Sequence, residues 1–151
     1  MSIAKNLPKL QKKNKYDEIF TDRAYTHAVG RRKNATAQVR LYEEGRGRIY
    51  VNEKEFRKYF PHFEMQKIVT RPLDIVKEKQ NLDISVKVSG GGFRGQADAS
   101  SLAIARVIAK WKPEYREKLA KEELLKTDAR VKERKKPGLK RARKAPQWAK
   151  R

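Results

Sequence analysis

The chain has no cysteine, which excludes disulfides, thiolate metal sites and cysteine nucleophiles. Its two histidines, His27 and His62, lie far apart and outside any metal-ligand spacing, so they read as solvated or hydrogen-bonded side chains and not as ligands or bases. No paired acid and base or nucleophile arrangement is visible, so neither an enzyme nor a small-molecule substrate is expected. No stretch approaches the ~18 apolar residues of a membrane span. The basic stretches also lack the broad apolar face or lipidation signal of a membrane-surface anchor. The amino end, MSIAKNLPKLQKKNKYDEIFTD, has no apolar core of a secretory signal, and Asp17, Glu18 and Asp22 argue against an organellar transit peptide, so a cytoplasmic protein is expected. What the sequence has least of is negative charge: 18 Asp and Glu stand against 39 Lys and Arg, a net charge of +21 over 151 residues.

Charged residues make up 38% of the chain, against roughly 25% in an ordinary globular domain. Such one-sided charge destabilises a compact state unless a polyanion neutralises it. Nucleic acid fits best, because each neutralised phosphate releases condensed counterions and the gain accumulates over dispersed Lys and Arg. The length suits one domain with extensions.

Residues 1–24 are polar and lysine-rich, with too few apolar side chains for a core, and read as a basic N-terminal extension. From Tyr25 the pattern changes. In ATAQVRLY, Ala35, Ala37, Val39 and Leu41 alternate with polar residues, the period of a strand with one buried face. After EEGRG, RIYVN repeats the alternation, so the two segments are expected to pair as a hairpin with a longer loop. Asn52 is a candidate cap for a helix from Glu53, ended by Pro61. Two further helices are expected, over Glu64 to Val69 and over PLDIVKEK with Pro72 at its first position. Leu82, Ile84, Val86 and Val88 define another strand, whose polar outer face suggests that helices cover one side only. In QADASSLAIARVIAKW, Leu102, Ala105, Ile108 and Trp111 recur every three residues, and small Ala97, Ala99 and Ala103 would let this helix sit close to the sheet. A last helix restarts at Pro113 and Glu114, anchored by Leu119 and Leu125. The whole predicts a two-layer α/β sandwich over residues 25–129, followed by an extended basic tail over 130–151.

SGGGFRGQADA contains the G-x-G-x-x-G spacing of a dinucleotide-binding turn, but that fold needs a second parallel strand ending in an acid about twenty residues on, and WKPEYREKL is helical. No nucleotide cofactor is expected. The loop can still hold an anion: successive glycines let backbone amides approach a phosphate, the helix start offers N–H groups, and Arg94 adds charge. Arg31, Arg32 and Lys33 in VGRRKNATAQVRL form a second basic constellation on a short turn between strands.

GRRKNATAQVRL, GGGFRGQADASSLAIAR and GLKRARKAPQWAKR together, in this order and spacing, resemble the family of small-subunit ribosomal protein nine from about Ala28 to the end. The resemblance implies a four-stranded sheet with helices on one face, similar to the second domain of small-subunit ribosomal protein five, with a left-handed crossover. It also implies a structural role in the head of the small ribosomal subunit, beside neighbouring ribosomal proteins. Candidate contacts to ribosomal RNA are Arg31, Arg32, Lys33, Gly91, Gly92, Arg94, Gln96, Arg106, Arg134, Lys135, Lys136, Lys140, Arg141, Arg143 and Lys144. Lys150 and Arg151 match the family's final Lys-Arg, which implies contact with anticodon-loop phosphates of transfer RNA in the peptidyl site. Trp148 and Ala149 stand where the family often has Phe and Ser, which keeps the charge contact but removes a hydroxyl, and Gln38 replaces a frequent arginine. The alternative on composition alone is an autonomous nucleic-acid-packaging protein.

The tail itself cannot be one helix, because Pro137, Gly138 and Pro146 interrupt it. About twenty extended residues would reach on the order of 65 Å at ~3.3 Å each. Such a segment orders when phosphates neutralise it, with Trp148 placed to stack on a base or a guanidinium.

Overall fold

The computed structural model describes residues 15–20, 23–78 and 80–150. The alternation read from the sequence becomes strands. β1 (Thr26–Arg32), β2 (Ala35–Tyr42), β3 (Ile49–Val51), β4 (Lys54–Glu55) and β5 (Asp83–Ser89) form one sheet in the order β1-β2-β5-β3-β4. All pairings are antiparallel except β3 with β5. The four expected strands are present, joined by the two-residue edge strand β4.

β2 and β3 do not form the expected hairpin, because β5 lies between them and pairs with both. Alternation identifies strands but carries no information about which neighbour each takes. The loop after β2 crosses the start of β5, with the Gly45 N–H on the Asn81 carbonyl at 2.9 Å and the Ile84 N–H on the Arg48 carbonyl at 2.8 Å.

Asn52 does not cap a helix. Asn52 and Glu53 both have positive φ, 46° and 65°, the pattern of a two-residue type I′ turn between β3 and β4. The Asn52 side chain reaches across to β5 instead, donating to the Val88 carbonyl at 3.1 Å and accepting from the Val88 N–H at 2.9 Å. One amide side chain thus extends the ladder past the end of β3. The helix that follows, α2 (Phe56–Tyr59), has a single turn and buries Phe56.

The two helices expected around Pro72 are one, α3 (Phe63–Val76), with Pro72 inside it. An interior proline removes a hydrogen bond and costs about 3 kcal/mol. Here Val69, Pro72, Leu73 and Val76 are all buried, so core packing offsets that cost. α4 (Phe93–Trp111) runs across β1 and β2 on the same face, and α5 (Tyr115–Lys121) buries Leu119 beside it. The expected layer of helices over one sheet face is therefore present.

α4 sits close to the sheet because Ala97, Ala99 and Ala103 are fully buried and Gly30 faces them from β1. A Cβ on Gly30 would collide with the Ala99 carbonyl oxygen and lie 2.7 Å from the Ala103 nitrogen.

The second face carries a feature not read from the sequence. The short helix α1 (Lys15–Phe20), in the stretch read as an arm, buries Ile19 and Phe20 against Tyr42, with Tyr16 and Tyr50 packed beside them. Phe20 lies 4.8 Å from the Tyr42 ring centroid and 5.7 Å from that of Tyr50.

Beside α1, the carboxylate of Asp83 is fully buried. It accepts the amides of Arg46 and Arg48 at 3.0 Å each, the Arg48 guanidinium at 2.8 Å and Arg23 at 3.1 Å. Burial alone would raise its pKa; the bonds from the Arg48 side chain, the two amides and Arg23 outweigh that and hold it at about 2.

Two outcomes follow. Gly30→Ala should destabilise the protein by about 1–3 kcal/mol in urea unfolding, since backbone atoms of α4 would have to move. A depressed carboxylate pKa contributes stability that is present above the unfolded value of about 3.9 and is lost as pH falls through the folded one. Unfolding of the wild type should therefore show a loss of stability between about pH 4 and pH 2 that is smaller in Asp83→Asn, which is already weaker at neutral pH.

Candidate nucleic-acid interface

The basic β1–β2 turn and the glycine loop, separate in sequence, meet at one end of the sheet. Arg32 pairs with Ala35 across the tight turn, and Lys33 takes φ 52°. Gly90 and Gly91 have φ 69° and 62°. A Cβ on Gly90 would strike the Asn34 carbonyl, and one on Gly91 would lie 3.0 Å from the Ala35 methyl. Only glycine fits this path, so the strand-to-helix loop lies on top of the basic turn.

Gly92 caps α4 without any side-chain hydrogen bond at that helix end. The positive end of the 19-residue helix therefore faces outward beside Arg31 and Lys33, both exposed. Gln96 props the loop, donating to the Gly90 carbonyl at 3.1 Å while accepting the Tyr59 hydroxyl at 2.9 Å. Gly91 and Gly92 are exposed. Arg94 is 63% exposed and, among the described residues, its ion pairs are long, 3.7 Å to Glu64 and 3.7 Å to Asp98.

Arg32 and Arg106 are engaged by the protein itself. Arg32 reaches Asp128 at 3.0 Å and Asp98 at 3.7 Å, and also donates to the Asp128 carbonyl at 3.0 Å. Arg106 donates to the Val29 carbonyl at 2.9 Å and to the Thr127 hydroxyl at 2.7 Å. Together they clasp residues 127 and 128 to β1 and α4, which sets where the tail leaves the domain. The side chain and amide of Arg130, with Arg32 nearby, hold the Asp128 carboxyl well below the usual carboxylate range. Asp98, Thr127 and Asp128 were missed in the sequence reading. The signal was there: an acid such as Asp128 amid lysines and arginines has to be neutralising one of them.

From Glu122 to Lys150 the chain has neither helix nor strand. It is not straight throughout. Glu133 gathers Lys136 at 3.2 Å and Arg143 at 2.8 Å. Gly138 takes φ 79°, and the Lys140 N–H meets the Lys144 carbonyl at 2.8 Å. This turn shortens the tail's reach relative to a fully extended strand. Arg134 donates to the Lys135 carbonyl at 3.3 Å. Lys135, Lys140, Arg141 and Lys144 are exposed with no carboxylate partner among the described residues. Trp148 is 81% exposed and Lys150 is exposed; Arg151 lies outside the described residues.

An α/β domain with a cationic end, a glycine loop open at a helix start and a basic tail leaving from the same end defines a protein built to lie against a polyanion. The family model for ribosomal protein S9/S16 matches residues 30–151, and the chain belongs to that family. It is thus a structural component of the small ribosomal subunit, an RNA-binding ribosomal protein that works in translation within a ribonucleoprotein. Its partners are ribosomal RNA and other ribosomal proteins. No helix among the described residues is long and apolar enough to cross a membrane.

The clasp can be tested apart from the fold. Arg32→Ala should raise the rate of limited trypsin cleavage around Lys126 and Arg130 several-fold at temperatures where the domain is still folded; because the Arg32 side chain is only 19% exposed, a loss of about 1–3 kcal/mol in unfolding accompanies it.

Proposed function

We propose that this protein seats residues 25–129 on ribosomal RNA in the head of the small subunit of cytoplasmic ribosomes, and sends residues 130–151 through RNA to the peptidyl site. Residues 1–24 are a basic extension, of which α1 docks on the sheet's second face. Arg31, Lys33, Arg94 and the amides of Gly91 and Gly92 meet ribosomal RNA phosphates, Gln96 keeps that loop in shape, and Arg32 and Arg106 lend charge from within the clasp. Arg134, Lys135, Lys136, Lys140, Arg141, Arg143 and Lys144 line the tail's passage. Lys150 and Arg151 lie against anticodon-loop phosphates of transfer RNA.

One observation carries this reading. The tail belongs to the matched stretch, which runs through residue 151, and from Arg134 onward it contains no Asp or Glu to neutralise its cations. Charge left unpaired along a chain with no core of its own supports an external polyanion over an internal role. The clasp at Asp128 supports a tail that starts from a fixed point.

Deletion of Lys150 and Arg151 should leave subunit assembly near normal while weakening peptidyl-site transfer RNA, measured by filter binding; unchanged affinity would count against the tail contact. For the whole protein on ribosomal RNA, neutralising roughly ten phosphates should give a log affinity that falls with log salt at a slope near minus seven to minus nine.

A further inference from the structure

Among the described residues, the sheet's second face is only partly covered. Pleat alternation and register place Gln38 beside Lys87, and Arg40 beside Ser85, on that face. α1 reaches Ser85 but leaves Gln38, Arg40 and Lys87 exposed. Its Tyr16 hydroxyl meets Ser85 Oγ at 2.7 Å, and beyond it lies a cleft of about 480 Å³ lined by Tyr16, Gln38, Arg40, Asn52, Ser85 and Lys87. That volume is in the range of sites for small ligands, roughly 300–1,000 Å³.

Gln38, Arg40 and Lys87 are exposed, and neither Arg40 nor Lys87 has a carboxylate partner among the described residues. Arg40 lies over the Tyr25 ring, 4.8 Å from its centroid, which holds the guanidinium at the cleft while leaving its charge available. One acid, Glu53, stands at the rim.

From this we propose that the cleft binds an unpaired nucleotide of the small-subunit ribosomal RNA. Arg40 and Lys87 take phosphate oxygens, and the base enters beside the Tyr16 ring, within reach of the Gln38 amide. An RNA occupant is favoured over a peptide by two features of the lining. The floor is β2 and β5, central strands already paired on both sides, so no ladder edge is open for an added strand. Apart from the Tyr16 ring and the buried Val86 and Val88, the lining is polar, with Arg40 and Lys87 against the one acid, which suits a phosphate-bearing partner better than the apolar anchor of a protein interface.

The site joins residues from two parts of the chain: Gln38, Arg40, Ser85 and Lys87 lie within the stretch that the family model matches. Tyr16 lies outside residues 30–151, the stretch that the family model matches. The inference rests on membership of a ribosomal family and is independent of the tail's contact with transfer RNA.

Its test uses the full chain carrying a benzophenone photocrosslinker in place of Gln38, assembled into small subunits and irradiated. The expected product is a crosslink to ribosomal RNA, retained when Lys150 and Arg151 are deleted. A crosslink to a neighbouring protein, or none in subunits that contain the labelled chain, would overturn it. As a second measurement, Lys87→Ala should reduce the magnitude of the log affinity versus log salt slope for protein-free small-subunit RNA by about one, with the unfolding midpoint unchanged. The same substitution at exposed Lys121 on α5 serves as the comparison. A slope that Lys87→Ala leaves unaltered also overturns the proposal.

Discussion

The scarcity of carboxylates governs which cations belong to the fold and which are left for a partner. With 18 acids for 39 bases, internal neutralisation is impossible, so each acid that forms an ion pair selects one or two basic residues. Asp83 takes Arg23 and Arg48, fixing the loop between β2 and β3 to the start of β5. Asp98 and Asp128 take Arg32. Glu78 accepts Lys112 at 3.3 Å and the Tyr115 hydroxyl at 2.9 Å, joining the end of α3 to the start of α5; bonds from Asn81, Tyr115 and Lys112 keep its carboxyl below the usual range. Glu133 folds the tail's turn. Among the described residues, Arg31, Lys33, Lys87 and most of the tail's cations have no such partner, and these are the ones assigned to RNA.

A second constraint converts this allocation into a site. Alanines on α4 and Gly30 on β1 allow two backbones to come within a distance that no larger side chain would permit. Because α4 begins directly after the glycine loop, the same close approach presses that loop onto the β1–β2 turn. Arg106, further along α4, then meets the Val29 carbonyl on β1, so the clasp on the tail is a product of the same packing. Helix start, basic turn and tail exit share one end of the molecule because one helix lies flat on one strand.

Much of this was legible in the sequence, and the failures have identifiable causes. Period-two alternation located β2, β3 and β5, and the small residues of α4 were correctly read as a sign of close packing. Register and neighbour choice were not legible: the β2–β3 hairpin failed because strand order depends on which buried surfaces fit together, not on proximity in the chain. Asn52 was a plausible cap, but its amide found a better use against Val88, where it satisfies two backbone groups at once. Pro72 was read as a boundary because propensity disfavours it inside a helix, and tertiary burial overrode that preference. The basic motifs were found by composition, whereas the division between Arg31, which has no acid partner among the described residues, and Arg32, which is bound, required the positions of Asp98 and Asp128.

α1 shows how the acid allocation and the packing combine on the other face. A helix of six residues is far below the ~12–15 needed for an isolated helix to persist in water, so its order depends on what it covers. Phe20 and Ile19 supply that through Tyr42 and Tyr50, and Arg23, just beyond it, is drawn in by buried Asp83 and by the Glu43 carbonyl. The arm is thereby tied to the sheet by apolar rings on one side and an ion pair on the other, and Tyr16 is carried to the edge of the open strands. The wall of the second-face cleft is therefore conditional: remove the aromatic packing or the Asp83 pair, and the cations of β2 and β5 remain, but the bounded cavity does not. Binding there must depend on residues that never touch the ligand, as the tail's direction depends on Asp128, and in both places an acid sets how a surplus of positive charge is presented.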